Sequence, residues 1–374
     1  MQFSDVIGQD RIKAKLIDSV KTGRIHHAQL FLGETGFGSL ALVLAYAQYI
    51  NCENRTDTDS CGECSNCQKM YKLIHPDVHF SFPIVATKSK GADDADPKAT
   101  FYKQWRELMQ ETAYPAYKEW IRKIGSGDKQ GNIPVSEARS IIRKLSLKSY
   151  QGGYKVLIMW LPEFLGIEGN VLLKVLEEPS PRTIFLLVAE DESRILNTIL
   201  SRCQIVRIPR IGQEALSEAL VNVLNADSEK AEQAAALAEG SFRRAIEIYS
   251  SGEDTFFETF TEWMRLSFMH DYAGLFKWSQ EAASYGKENL KNFLIYALGL
   301  FRESLLLKQG IVELSKLRGD QLSWTKDKFA PSINQDGVIK IVKEINESHY
   351  LIERNASTKV VLFDLSLLIS KNLR

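Results

Sequence analysis

The chain has 374 residues, 44% hydrophobic and 25% charged: globular composition, with length for two or three packed domains. Its 47 Lys and Arg balance 47 Asp and Glu, which excludes a whole-surface basic field and leaves any nucleic-acid role to a local patch or a partner. Asp5, Asp10, Arg11 and Lys13 interrupt the start where a signal peptide would be apolar, and apolar runs such as 184–189 are too short to span a bilayer; a soluble cytoplasmic protein with no membrane partner is expected.

In chain order, 10–22 reads as an amphipathic helix and 28–32 as a buried strand running into a Gly-rich turn. Further strands are expected at 155–160, 183–189 and 204–208, the last ended by Pro209. Strands separated by helical stretches predict a parallel sheet with flanking helices over 1–208. The rhythm breaks at about 88–131. There a small, charged stretch (88–96) precedes an aromatic-rich helical one (101–123), and Gly125, Gly127 and Gly131 close it. This reads as an insertion; the plainer alternative is part of the sheet's helical layer. Three short helical patterns over 209–252 predict a small helical module. From 253 to 374 the pattern is helical throughout. Leu290, Phe293, Leu294, Ala297, Leu298, Phe301 and Leu305 recur at helical spacing, and 360–369 forms a last apolar helix.

Four of the five cysteines crowd into 52–67. Cys52 stands upstream of a CxxCxxC run, Cys61, Cys64 and Cys67, whose intervening Gly62, Glu63, Ser65 and Asn66 are turn formers. In a chain with no export signal this spacing points to metal, not disulfides. Four thiolates suit a closed, structural Zn²⁺ site, with an iron–sulfur cluster as runner-up.

The turn after the first strand is Gly33-Glu34-Thr35-Gly36-Phe37-Gly38-Ser39-Leu40. A working phosphate loop follows its last glycine with Lys, which reaches the β- and γ-phosphates, and then Ser or Thr, which holds Mg²⁺. Here Ser39 stands for the lysine and Leu40 for the hydroxyl, so the turn survives and the charge neutralisation needed for phosphoryl transfer does not. The strand at 155–160 should end in an acidic pair for the metal; it runs into Trp160-Leu161-Pro162, with Glu163 the first acid.

Added to these are Val6-Ile7-Gly8-Gln9, the strand 27–33, His75-Pro76-Asp77, the run 172–179 (Leu-Leu-Lys-Val-Leu-Glu-Glu-Pro) and Ser201-Arg202-Cys203. Together they resemble the bacterial DNA polymerase III clamp-loader subunits of the AAA+ family. The likeness covers the chain from Phe3 to about Ile208 apart from the insertion, and the degraded loop sorts it with that family's non-hydrolysing members. The resemblance implies an AAA+ P-loop module (1–208) with a zinc lobe (52–67), a helical lid (209–252) and an all-α collar (253–374). It further implies a hetero-pentameric ring with motor subunits and a delta subunit, acting on a sliding clamp and primed DNA. Within it Arg202, supported by Ser201, would serve as an arginine finger on ATP held by a neighbouring motor subunit. Gly33, Gly36, Gly38 and Ser39 would be a degenerate phosphate loop, Arg243 (in Gly240-Ser241-Phe242-Arg243) a second sensor, and Glu353-Arg354-Asn355-Ala356 part of the last collar helix. No ATPase activity of the chain's own is expected. Two rivals stand beside this. One is an active ATPase using Lys155 or Glu163. The other is a zinc-bearing DNA-repair adaptor touching phosphates through Arg139, Arg143, Lys144 and Lys148.

Overall fold

The computed structural model describes residues 1–85, 101–125, 131–251, 253–317, 319–354 and 356–373. In chain order the first half forms α1 (Asp10–Lys21), β1 (Ala28–Leu32), α2 (Ser39–Asn51), α3 (Ser65–Tyr71), β2 (Val78–Ser81), α4 (Tyr102–Glu111), α5 (Tyr117–Lys123), α6 (Val135–Ser146), β3 (Lys155–Trp160), α7 (Leu173–Glu177), β4 (Thr183–Ala189), α8 (Asn197–Leu200) and β5 (Gln204–Arg207). Among the described residues the strands make one parallel sheet in the order β2-β3-β4-β1-β5. All seven residues of β4 and all six of β3 are buried, as an apolar run without alternation must be when helices cover both faces. Every residue of α2 is buried as well, so the helix that leaves the Gly-rich turn is a core element.

Three details depart from the expected elements. β2 was not foreseen: four residues reading Val-His-Phe-Ser are too short and too mixed to stand out as a strand. β5 stops at Arg207, although the N–H of Ile208 still donates to the Leu32 carbonyl at 2.8 Å. The helical stretch 101–123 is two helices, broken at 112–116. Pro115 explains the break, because it lacks an N–H and pushes the residue before it out of the α region.

The segment between β2 and α6 leaves and returns at one place. Ile84 and Asn132 exchange two backbone hydrogen bonds of 2.8 Å each. Of the expected insertion, 88–100 and 126–130 lie outside the described residues. The rest packs through an aromatic cluster. Trp105 stacks on Phe82 (ring centroids 4.4 Å apart), Trp120 meets both edge-on, and Trp105 lies 5.4 Å from Trp160 at the end of β3.

The second half is helical among the described residues: α9 (Gln213–Leu224), α10 (Ser228–Leu237), α11 (Phe242–Ser251), α12 (Glu253–Phe268), α13 (Tyr272–Ala283), α14 (Lys287–Lys308), α15 (Gly319–Trp324), α16 (Gln335–Glu353) and α17 (Thr358–Asn372). Asn355 lies outside the described residues. Two compact units result, Met1–Leu216 with Gly240–Arg243, and Ser217–Glu239 with Arg244–Arg374; the stretch 209–252 is divided between them. In the second unit Trp263 stacks on Trp278 at 4.7 Å and donates its Nε1–H to Ser366 Oγ at 2.8 Å. Leu290, Phe293, Leu294, Ala297 and Phe301 of α14 are fully buried there. No described helix is long and apolar enough to cross a membrane.

Candidate functional site

The Gly-rich turn sits at the C-terminal end of β1, where α/β sheets present loops to ligands. Gly36 and Gly38 have φ of 86° and 91°, the left-handed region that favours glycine. Space demands glycine too: a Cβ on Gly36 would lie 2.1 Å from Ser241 Oγ and 3.0 Å from the Arg243 nitrogen. Two hydrogen bonds hold this approach, Phe242 N–H to the Gly36 carbonyl at 3.0 Å and the Ser241 hydroxyl to the Thr35 carbonyl at 2.8 Å. The backbone of this turn is compatible with the phosphate loop expected from the sequence, but its contents differ. Ser39 and Leu40 open α2 as buried residues, and neither supplies a cation or reaches outward for one.

Beneath the turn lies a carboxylate. Thr35 Oγ1 donates to Glu190 Oε1 at 2.8 Å, and burial pushes the Glu190 carboxyl up to about 7. Trp160, where the first acid of a metal-binding pair was expected, is buried against Trp105. Leu161 turns the chain away with φ of 59°. Glu163 is spent internally, its Oε1 accepting the N–H groups of Glu190 (2.5 Å) and Asp191 (2.9 Å), while burial raises its pKa. Lys155 begins β3, at the end of the parallel sheet opposite the Gly-rich turn. Its Nζ donates to the carbonyls of Leu145 and Leu147 and to Ser180 Oγ. Lys155 thus lies away from the loop, and Oε1 of Glu163 is taken up by backbone N–H groups.

What does face the loop is the break between α4 and α5. The Tyr114 ring stands 3.0 Å from the position a Cβ on Gly38 would take, and its hydroxyl accepts the Ile7 N–H at 2.9 Å. It meets Phe242 edge-on at 5.1 Å, and burial pushes its pKa up to about 12. Arg243 donates to Glu119 Oε2 of α5 at 2.8 Å. The space left among Gly33–Leu40, Ala113–Pro115, Trp160, Val188 and Glu190 is about 20 Å³, room for about one water molecule. Sequence reasoning missed Tyr114 and Glu119. The only signal for them was Pro115 interrupting an aromatic helical run.

Arg202 follows α8 on the surface. Its Nε donates to Glu177 Oε1 at 2.7 Å, its Nη2 pairs with the same oxygen, and its Nη1 donates to the Thr198 carbonyl at 2.7 Å and to Ser201 Oγ at 3.2 Å. Ser201 Oγ thus accepts one of the guanidinium's hydrogen bonds. The side chain remains 30% exposed. Cys203, next in the motif, is a half-buried thiol that desolvation pushes up to about 11. Of the α6 cations, Arg139 and Arg143 are exposed and Lys144 half-buried, with Lys148 exposed just beyond.

The four cysteines converge as the spacing predicts. Their sulfurs lie within 4.8 Å of one another, with Cys52–Cys61 at 3.5 Å and Cys61–Cys67 at 3.9 Å. These distances are too long for a disulfide and bracket the roughly 3.8 Å edge of a tetrahedron with metal–sulfur bonds of about 2.3 Å. Backbone N–H groups point at the sulfurs: Cys61 to Cys52 Sγ, Cys64 to Cys61 Sγ (both 3.3 Å) and Cys67 to Cys64 Sγ (3.5 Å). The N–H groups of Cys64 and then Glu63 pull the Cys61 thiol down to about 6, whereas burial pushes Cys67 up. Four sulfurs brought this close form a group that could hold a metal ion and are compatible with zinc.

Fold and site together define a parallel α/β module with a Gly-rich turn at the C-terminal end of β1, followed by a helical unit and carrying a tetracysteine group. The family described as "DNA polymerase III, delta subunit" matches residues 8–212, more than half of the chain, and the chain belongs to that family. Its relatives include DNA polymerase III subunit delta' of Yersinia pestis, 31% identical over 50% of this chain and 43% of that one. The delta' subunit of Escherichia coli K12 is 28% identical over 51% and 45%. Subunit tau/gamma of Haemophilus influenzae is 26% identical over 66% and 30%. The chain thus spans less than half the length of these relatives. A solved structure of a DNA polymerase III gamma subunit-related protein from Thermotoga maritima aligns with a TM-score of 0.40 at 14% identity, over 97% of this chain and 99% of that one.

Proposed function

We propose that this chain is the delta-prime type of clamp-loader subunit. On this reading it is a non-hydrolysing AAA+ member that joins motor subunits and a delta subunit in a ring, assists ATP-driven loading of a sliding clamp on primed DNA, and offers Arg202 to a neighbour's ATP. One observation carries the reading: the phosphate loop keeps its turn while Ser39 and Leu40, both buried, occupy the positions of the cation and the metal ligand. A loop so changed can hold a subunit's shape without turning over nucleotide. The tetracysteine group would hold structural zinc, since four sulfurs leave no open coordination position for catalysis. The helices from 253 onward would serve as the collar.

Arg202 fits a trans role by chemistry. It is partly exposed, bonded to Ser201, and paired to a surface carboxylate, Glu177, that it can exchange for a phosphoryl oxygen. The test is a ring reconstituted with Arg202→Ala. Assembly is expected to be unchanged. Turnover at the one neighbouring site is expected to fall by up to about a thousandfold, with Arg202→Lys rescuing poorly for want of the planar fork. Wild-type ATPase in an assembled Arg202→Ala ring would reduce Arg202 to a surface ion pair.

A further inference from the structure

The loop's lost side chains explain why nucleotide would not be hydrolysed, but the surroundings of the loop go further. A bound nucleotide needs a pocket of roughly 300 Å³ or more, and about 20 Å³ remains here. The missing volume is filled by residues of the insertion. The Tyr114 ring lies over Gly38, its hydroxyl takes the Ile7 N–H, and it packs on Phe242. Glu119 holds Arg243, the residue expected to reach toward phosphate, in an ion pair whose side chains are 23% and 19% exposed. Glu190, half-buried and bonded to Thr35 of the turn, adds a carboxyl and no positive partner for phosphate oxygens. The aromatic cluster of Phe82, Trp105, Trp120 and Trp160 anchors α4 and α5 behind the connection that bears Tyr114.

We propose that the 112–119 segment is the resident ligand of the phosphate loop. Tyr114 and Glu119 bridge the loop and the 240–243 segment as a nucleotide would, closing the site to ATP and ADP and making the local conformation independent of them. This deepens the reading of the dismantled site and is separable from it. A chain that binds ATP without hydrolysing it would keep the non-motor reading and lose this one.

The experiment is an order-of-repair test by calorimetric titration of the full-length chain with ADP and with Mg·ATP. Restoring the loop alone, Ser39→Lys with Leu40→Thr, is expected to leave binding undetectable at millimolar nucleotide. Adding Tyr114→Gly and Glu119→Gln is expected to tighten binding by at least about tenfold, into the range the titration reads. Equal affinity in the two variants, or binding in neither, overturns the proposal, as does measurable nucleotide binding by the wild-type chain. Because the fourfold variant could lose its fold, Tyr114→Phe provides a mild second test that removes only the hydroxyl. Amide exchange at Ile7 is expected to speed up roughly three- to tenfold, and addition of 5 mM ATP (about the highest level worth testing) is expected to leave exchange over 33–40 unchanged. Wild-type protection of Ile7 in Tyr114→Phe, or protection of the loop by ATP, would contradict the assignment.

Discussion

The tetracysteine group and the Gly-rich turn are both tight turns at the ends of core elements, and on the proposed reading they have had opposite fates. Around Cys52, Cys61, Cys64 and Cys67 every ligand is present, and the backbone N–H groups aim at sulfurs. Around Gly33–Leu40 the backbone turn persists, yet the residues after Gly38 are small or apolar, a carboxyl lies beneath, and a tyrosine from elsewhere fills the space. Backbone shape is retained in both. A turn that still contributes packing survives the loss of its ligand, whereas a metal site survives only with its whole ligand set.

The sharpest way to break that comparison is to remove one ligand from the complete site. Cys64→Ser takes a thiolate from a kind of site that binds with about 10 kcal/mol or more, and most of that energy is folding energy. Elemental analysis is expected to show zinc falling from about one per chain to a small fraction, with lost solubility. Full zinc content in the variant, or iron in the native chain, would contradict the assignment. A smaller effect is expected where the insertion is anchored. Trp105 is fully buried between Phe82, Trp120 and Trp160, so Trp105→Ala is expected to cost about 3–5 kcal/mol in denaturant unfolding. A loss under about 1 kcal/mol would mean that α4 and α5 lie loosely on the sheet.

The smallest effect lies under the phosphate loop and depends on pH. Burial first, with the Glu163 charge adding to it, raises the Glu190 carboxyl from 4.5 to about 7, against the opposing bond from Thr35. The folded state therefore favours the protonated acid. Stability is highest below the ordinary carboxyl range, declines as pH rises toward 7, and levels off above it. Glu190→Gln is expected to gain on the order of 1 kcal/mol at pH 8 and little at pH 4, read as thermal unfolding across pH. A gain equal at both pH values would show that the carboxyl is not desolvated.

Much of this was legible in the sequence, for local reasons. β1, β3 and β4 are uninterrupted apolar runs, and the cysteine spacing encodes a tetrahedron within sixteen residues, 52–67. The missing Lys and Ser or Thr after Gly38 could be seen directly. What could not be read was long-range. Tyr114 reaches Ile7 across 107 positions and Glu119 reaches Arg243 across 124, and no local pattern marks a tyrosine that will fill a loop. β2 escaped because four mixed residues carry no periodicity. Arg202 was legible as a motif, but its pairing with Glu177 depends on α7 lying beside α8 in space.

On the proposed reading this chain does not turn over nucleotide. The most direct measurement is phosphate release by the purified full-length chain under saturating Mg·ATP, with the same assay on a Gly36→Ala, Gly38→Ala variant as background. The account predicts the same background rate in both, because neither Ser39 nor Leu40 can neutralise a transferred phosphoryl group. Turnover in the native chain that the loop substitutions abolish would contradict it.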